Sequence, residues 1–88
     1  ANIQNSAKVN ALKTAAANGA TVGASQIASG VAAADVPTEL AKSNTADYTL
    51  VASGDLTKID GFCVTATASG SLAGANPATA TSGSASTP

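Results

Sequence analysis

The sequence contains no histidine, tryptophan, methionine or arginine, and it has one cysteine, one tyrosine and one phenylalanine. Without an imidazole, Ser-His-Asp and Cys-His systems are excluded, because no group takes the proton of the nucleophile near neutral pH. Only a Ser-Lys pair stays formally open. Zinc and copper sites need several Cys or His ligands, and Cys63 stands alone. The sequence therefore predicts no enzyme, no cofactor, and no catalytic, cofactor-binding or metal-ligating residues.

Charge is also scarce. Four basic and five acidic residues give a net charge of −1, and the lysines are scattered along the chain. Nucleic-acid binding needs clustered basic charge with stacking aromatics, and this sequence has neither. Phosphate-binding glycine motifs are missing as well. We therefore expect no nucleic-acid partner, no role in DNA uptake and no small-molecule substrate.

Bulky hydrophobic residues are few. Of 88 residues, 22 are alanine, while Leu, Ile, Val and Phe together number 15. That share lies below the roughly 20% expected of a self-sufficient core, and alanine gains little free energy from burial. A chain of this size buries only about 60% of its unfolded surface. Contact with neighbouring molecules is therefore expected to matter for its stability.

No run of residues is apolar enough to cross a membrane. Residues 14–34 carry no charge, but their Asn, Gln, Ser, Thr and Gly content is too polar for the hydrocarbon core. The chain opens on a polar, helix-compatible stretch, which is typical of a mature or truncated product. Membrane contact is expected only through a missing N-terminal segment.

The first 18 residues are alanine-rich and predict a helix over 1–18, ended by Asn18-Gly19. Its apolar stripe is weak and divided between two faces. A helix with small residues on two faces suits a subunit packed among neighbours. The candidate subunit contacts are Ile3, Val9 and Leu12.

Residues 19–45 are expected to be mostly irregular. Gly19 and Gly23, followed by Ala24 and Ala28, have a spacing that permits close backbone approach if helical. A Gly/Ser-rich loop explains the same spacing equally well. Near the end of this segment, an Asp-Val-Pro start predicts a short helix that ends at Ser43-Asn44.

The clearest pattern is alternation in residues 46–52 and 61–68, which predicts an antiparallel pair of strands. A two-stranded ribbon is marginal in water, so it must lie on the N-terminal helix or gain further strands. The predicted fold is therefore α+β, with the helix packed on a small antiparallel sheet. The predicted structural core comprises Leu12, Tyr48, Leu50, Phe62 and Val64.

Residues 71–88 are rich in Ala, Ser and Thr and hold no charge. We expect a first unit over 1–70 and, after it, a flexible tail or a C-terminal strand around 78–82, with the tail favoured. The Ser/Thr/Pro content would also suit O-linked glycosylation. Cys63 is expected to be a buried small hydrophobe.

Residues 46–70 resemble the headgroup of type IV pilins, especially the short pilins of Gram-positive bacteria. The closest match is Phe62-Cys63-Val64-Thr65-Ala66-Thr67, an aromatic-Cys-hydrophobic strand. The order of a helix, an irregular segment and a short helix before it is also similar. The strongly hydrophobic half-helix with its glutamate, which opens mature pilins, has no counterpart in this sequence. The aromatic C-terminal strand of the family is replaced by Ala, Thr and Ser.

The resemblance implies an extracellular, cell-surface filament subunit that acts by polymerisation, in attachment or motility. Its partners would be copies of itself or a separate hydrophobic-helix pilin subunit.

Two other functions stay open. One is a secreted binding module or adhesin, with Asp55 and Asp60 flanking a loop that could hold Ca²⁺. The other is an ice-binding protein, because a Thr-Ala-Thr triplet occurs at 65–67 and again at 79–81. A flat threonine ladder needs several such repeats.

Overall fold

A computed structural model describes residues 2–83 of the chain, and side-chain burial from residue 4 onward. A long helix lies on one face of a three-stranded antiparallel sheet of order β1-β2-β3. The predicted α+β class, with an N-terminal helix packed on a small antiparallel sheet, is confirmed. The elements are α1 (Asn2–Ala28), α2 (Val36–Ala41), β1 (Tyr48–Gly54), β2 (Phe62–Ala68), a 3₁₀ turn (Gly70–Leu72) and β3 (Thr79–Gly83).

Helix α1 runs past the predicted stop at Asn18-Gly19, so the prediction of a helix over 1–18 followed by an irregular 19–45 is wrong. The helix ends instead at Ala28, and Gly30, two residues beyond it, has φ +90°. The Val31 N–H donates to Gln26 O at 3.0 Å, and the Gly30 N–H donates to Ile27 O at 3.1 Å. This double closure with a left-handed glycine is a Schellman motif.

Tertiary packing explains why two glycines lie inside α1. A Cβ on Gly19 would lie 2.9 Å from Val64 Cγ1, and one on Gly23 would lie 2.8 Å from Phe62 Cε2. Glycine costs about 1 kcal/mol relative to alanine in a helix interior. The close approach of helix and sheet offsets that cost by letting the two elements pack without a gap.

The sheet has one buried and one exposed face. Leu50 of β1 stands opposite Ala66 of β2, and Val51 stands opposite Thr65. Leu50 and Ala66 are buried under α1, while Val51 is 57% exposed. The predicted alternation of the two strands is therefore present, with both strands beginning one or two residues later than predicted.

The third strand joins the same sheet. Thr65 pairs with Thr81 and Ala66 with Ala80, and Ala75, just before the strand, is buried. The division after residue 70 therefore does not separate a second unit, and the favoured tail is wrong for 79–83, where the alternative of a strand is correct. Residues 84–88 of the predicted tail lie outside the described residues.

Candidate functional site

The five predicted core residues lie together between α1 and the sheet. Leu12 and Val64 are fully buried, Phe62 is 2% exposed and Leu50 is 6% exposed. Tyr48 is half-buried at the margin and packs against the same cluster. The contact between helix and sheet is therefore made by the residues that the alternating pattern indicated.

The predicted subunit contacts fall differently. Leu12 has no exposed surface, so it is not available to a second subunit. Val9 is half-buried and packs against the chain's own core. The side chain of Ile3 lies outside the described residues. The apolar stripe of α1 is therefore used mainly within the chain, because the helix needs it to hold the sheet.

Several buried residues were missed in the sequence. Val36 and Leu40 are fully buried, one helical turn apart on α2, a spacing that was readable once the short helix was predicted. Small residues complete the core, and no hydrophobic pattern identifies them in so alanine-rich a chain. These are Ala15, Ala16 and Ala75.

Cys63 points away from α1 and is nevertheless 1% exposed. Its neighbours across the sheet are Ser53 of β1 and Gly83 of β3, and Gly83 approaches it closely, since a Cβ there would lie 2.8 Å from Cys63 Cβ. Gly83 also has φ +138°, a conformation that other residues rarely adopt. The thiol is free, and its sulfur lies 3.6 Å from Ser53 Oγ. The expectation of a buried small hydrophobe is confirmed.

The outer face of the sheet presents threonines in register across all three strands. Thr49, Thr67 and Thr79 form one row. Val51, Thr65 and Thr81 form the next row, and the hydroxyls of Thr65 and Thr81 are 3.0 Å apart. We call these six residues the threonine face. The sequence showed only the triplets of β2 and β3, and the pairing adds Thr49 because register aligns it with them.

Loop residues 55–61 form a closed turn. Asp55 Oδ1 accepts from the Thr57 N–H at 3.0 Å and from the Thr57 hydroxyl, and these bonds lower the pKa of Asp55 below its ordinary value. The Asp55 N–H donates to Gly61 O at 2.8 Å. Among residues 2–83, no three His, Cys, Asp or Glu side chains cluster as a metal site would require. The carboxylate of Asp55 is engaged in shaping the turn.

Asp47 fastens the segment before β3 to the start of β1. Its Oδ1 accepts from Ser71 Oγ at 2.7 Å and from the Ser71 N–H at 3.1 Å. The hydroxyl bond first, and the backbone bond second, lower the pKa of Asp47. Nearby, Ser69 Oγ donates to Ala46 O at 3.0 Å. Gly70 has φ +50°, and a Cβ there would lie 2.3 Å from Ala46 O, so glycine is required.

A second fastening joins the same segment to α1. Asn5 Nδ2 donates to Asn76 O at 3.0 Å, and the Asn76 N–H donates to Asn5 Oδ1 at 2.8 Å. Lys8 Nζ donates to Ala73 O at 3.0 Å. These polar contacts fix the path of the chain into β3.

A shallow groove of about 380 Å³ lies where α1 passes the end of β3. Its lining is apolar or small, and Ile59 at its rim is 53% exposed. The lining residues are Ala17, Ala20, Thr21, Ala24, Ile59, Phe62, Ser82 and Gly83.

The chain matches no protein-family model, and no curated protein or solved structure matches it. In residues 2–83, neither helix combines the length and the hydropathy that a membrane crossing requires. The proposals that follow therefore rest on the surfaces and contacts described above.

Proposed function

We propose that this chain is the globular headgroup of an extracellular type IV pilin-like filament subunit, acting by polymerisation at the cell surface. The observation that carries the proposal is the position of the Phe62–Ala68 strand. This strand, whose sequence resembles the pilin headgroup, is the central strand of the sheet and lies directly under α1. A long helix laid on an antiparallel sheet is the arrangement that the resemblance implies.

The dimensions of the molecule support the proposal. Helix α1 has 27 residues, which at about 1.5 Å per residue is roughly 40 Å long. The Cα atoms of the described residues extend over 44 × 25 × 14 Å. The helix therefore runs along nearly the full length of the described chain.

The weakness of the core supports a subunit that gains stability on assembly. Among residues 4–83, six bulky side chains are buried, five of them completely or to within 2%. They are Leu12, Val36, Leu40, Leu50, Phe62 and Val64. Burial against neighbouring subunits would add to the stability of so small a core by mass action.

Immunogold electron microscopy of the cells that make the protein tests the proposal. Antibodies raised against the purified chain are expected to label surface filaments along their whole length, and peptides of the chain should dominate mass spectra of sheared filaments. Label at filament tips alone would favour an adhesin. Label confined to the cell interior, or protein found only as a soluble monomer in the medium, would refute the filament subunit.

The threonine face favours one second candidate, an ice-binding protein. Three strands about 4.8 Å apart place hydroxyl and methyl groups in a regular two-dimensional array. The purified chain would then inhibit ice recrystallisation, and Thr67→Lys, at an exposed central position, would abolish the effect. Ice crystals that coarsen at the same rate with and without the chain would remove this candidate.

A further inference from the structure

The free edge of β3 has backbone groups that point away from the sheet. The Ala68 N–H donates to Ala78 O at 2.8 Å. The backbone N–H and C=O groups of the even-numbered residues around this strand therefore point toward β2. Hydrogen-bonding direction alternates along an antiparallel strand. The outward N–H groups of this edge therefore belong to Thr79, Thr81 and Gly83, and the outward C=O groups belong to Thr79 and Thr81.

The opposite edge of the sheet is already occupied in its first half. The outward N–H of Leu50 donates to Asn44 Oδ1 at 2.8 Å. The outward C=O of Tyr48 accepts from the Thr45 N–H at 3.1 Å. A strand from another molecule would have to break these bonds to pair with β1.

The outward N–H groups of β3 have no such hydrogen-bond partners among the described residues. Within residues 2–83, no group bonds to the outward N–H of Thr79, Thr81 or Gly83, and all three residues are exposed. Natural sheets keep such edges apart with charged side chains, proline or bulges. The strand Thr79–Gly83 has no charge and no proline, so it is an open template for another strand.

We propose that β3 is the interface with a second copy of this chain. Two copies pair antiparallel through Thr79–Gly83 and form one six-stranded sheet. The pairing centred on Thr81 joins the outward N–H and C=O of Thr81 in one copy to those of Thr81 in the other, and it places Thr79 of each copy opposite Gly83 of the other. Self-complementarity of this kind is what a two-fold interface requires.

The surroundings of the edge allow this approach. The flank of α1 beside the end of β3 carries Ala17 and Thr21, whose small side chains line the groove with Ser82. Lys13 lies one turn before Ala17 on the same helix. In the antiparallel pair the two helices also run antiparallel, so the lysines of the two copies lie at opposite ends and do not repel at close range.

The pairing is independent of the filament proposed above. A closed two-fold contact adds no growth along an axis, so in a filament it would join headgroups side by side. In solution it would give a dimer whether or not filaments form.

Disulfide trapping tests the pairing directly. In the proposed register, Thr81→Cys faces itself across the two-fold axis with a Cα separation of about 5.5 Å, inside the range of about 4.4–6.8 Å that a disulfide spans. Thr49→Cys is the matched control, an exposed threonine on the same face but on β1. The unmodified chain is a second control, because its Cys63 is 1% exposed. Mild oxidation should link Thr81→Cys into covalent dimers and leave both controls without a disulfide-linked dimer.

Sedimentation equilibrium measures dimer formation without an introduced cysteine. The unmodified chain should form dimers reversibly as its concentration rises. Thr81→Pro removes one outward N–H without touching the β2–β3 ladder, and it should raise the dimer Kd at least about tenfold. Circular dichroism checks that the variant stays folded. Equal cross-linking of Thr81→Cys and Thr49→Cys, a monomer at every concentration, or a dimer unchanged in a folded Thr81→Pro would each overturn the proposal.

Discussion

Phe62 and Leu50 connect the sheet to α1, and both are almost completely buried. Replacing either with alanine leaves a cavity that a small core cannot close, so Phe62→Ala or Leu50→Ala should cost about 2–4 kcal/mol of unfolding free energy. Urea unfolding at neutral pH measures it. Val51→Ala is the control, because Val51 lies next to Leu50 on β1 but on the exposed face of the sheet. It should change the free energy of unfolding by less than about 0.5 kcal/mol. Unchanged midpoints for both core variants would refute this core.

Gly19 tests the close packing of helix and sheet. In Gly19→Ala, the added Cβ would meet Val64 Cγ1 at 2.9 Å and Leu50 Cδ1 at 3.2 Å. Overpacking costs about 1–3 kcal/mol, and the gain in helix propensity returns about 1 kcal/mol. We expect a net destabilisation of about 1 kcal/mol in urea unfolding.

Asn18→Ala is the matched control, one residue earlier and exposed. It should stabilise the chain by about 0.5 kcal/mol through propensity alone. Gly19→Ala and Asn18→Ala that stabilise the chain equally would show that the helix does not approach the sheet so closely.

At the scale of elements, the bond between Asp47 and Ser71 should make the attachment of the segment before β3 sensitive to acid. Ser71 lowers the pKa of Asp47 from its ordinary value of 3.8. A lowered pKa in the folded state means that this contribution is complete above the unfolded value and is lost as the pH falls through the folded one. Stability should therefore decline below about pH 4.

Urea unfolding at stepped pH measures that decline. Asp47→Asn and Ser71→Ala should each make the loss of stability in acid shallower, because the preferential bond to the carboxylate is gone. Ser6→Ala, a change at an exposed serine of α1, should leave the slope as it is. An acid slope identical in all four proteins would contradict the role of Asp47.

The clasp between Asn5 and Asn76 should control how often β3 opens. Asn5→Ala removes both of its hydrogen bonds, so the strand that follows loses one of its fastenings. Amide hydrogen exchange at Ala80 and Ser82, which face β2, should become several times faster. Asn10→Ala, at an exposed position of the same helix, should leave these rates unchanged. Equal rates in both variants would show that the clasp does not hold the strand.

At the scale of the whole molecule, the chain should be only weakly stable by itself. Six bulky side chains are its main buried hydrophobic groups, so its free energy of unfolding should lie at the low end of the natural range, at or below about 5 kcal/mol. Urea unfolding of dilute protein gives this value, and the midpoint should rise with protein concentration if copies associate. A stability near about 10 kcal/mol without concentration dependence would contradict this expectation.

Much of the fold could be predicted from local pattern. Alternation identified β1 and β2 and the buried positions Leu50, Phe62 and Val64, because a strand side chain can point to only two faces. The Asp-Val-Pro start identified α2. Local pattern could not decide between a loop and a continued helix at Gly19 and Gly23. The answer depends on whether the strands of the sheet, which are distant in sequence, pack where the missing Cβ atoms would lie.

The candidate surfaces were less predictable than the core. The threonine face depends on register across three strands, and the open edge of β3 depends on which strand is outermost. Leu12 was also predicted to contact another subunit, but it is buried in the chain's own core. A weak apolar stripe on a helix does not indicate whether it packs within the chain or against another molecule.

The sequence by itself determined that this chain has no imidazole side chain and that its elements are a helix followed by alternating strands, since composition and period act over a few residues. Only the tertiary structure decided that α1 continues to Ala28, that Thr79–Gly83 is a strand and that, within residues 2–83, the outer edge of β3 is unpaired. Those outcomes depend on contacts between residues far apart in the chain, where the free energy of packing outweighs local preference.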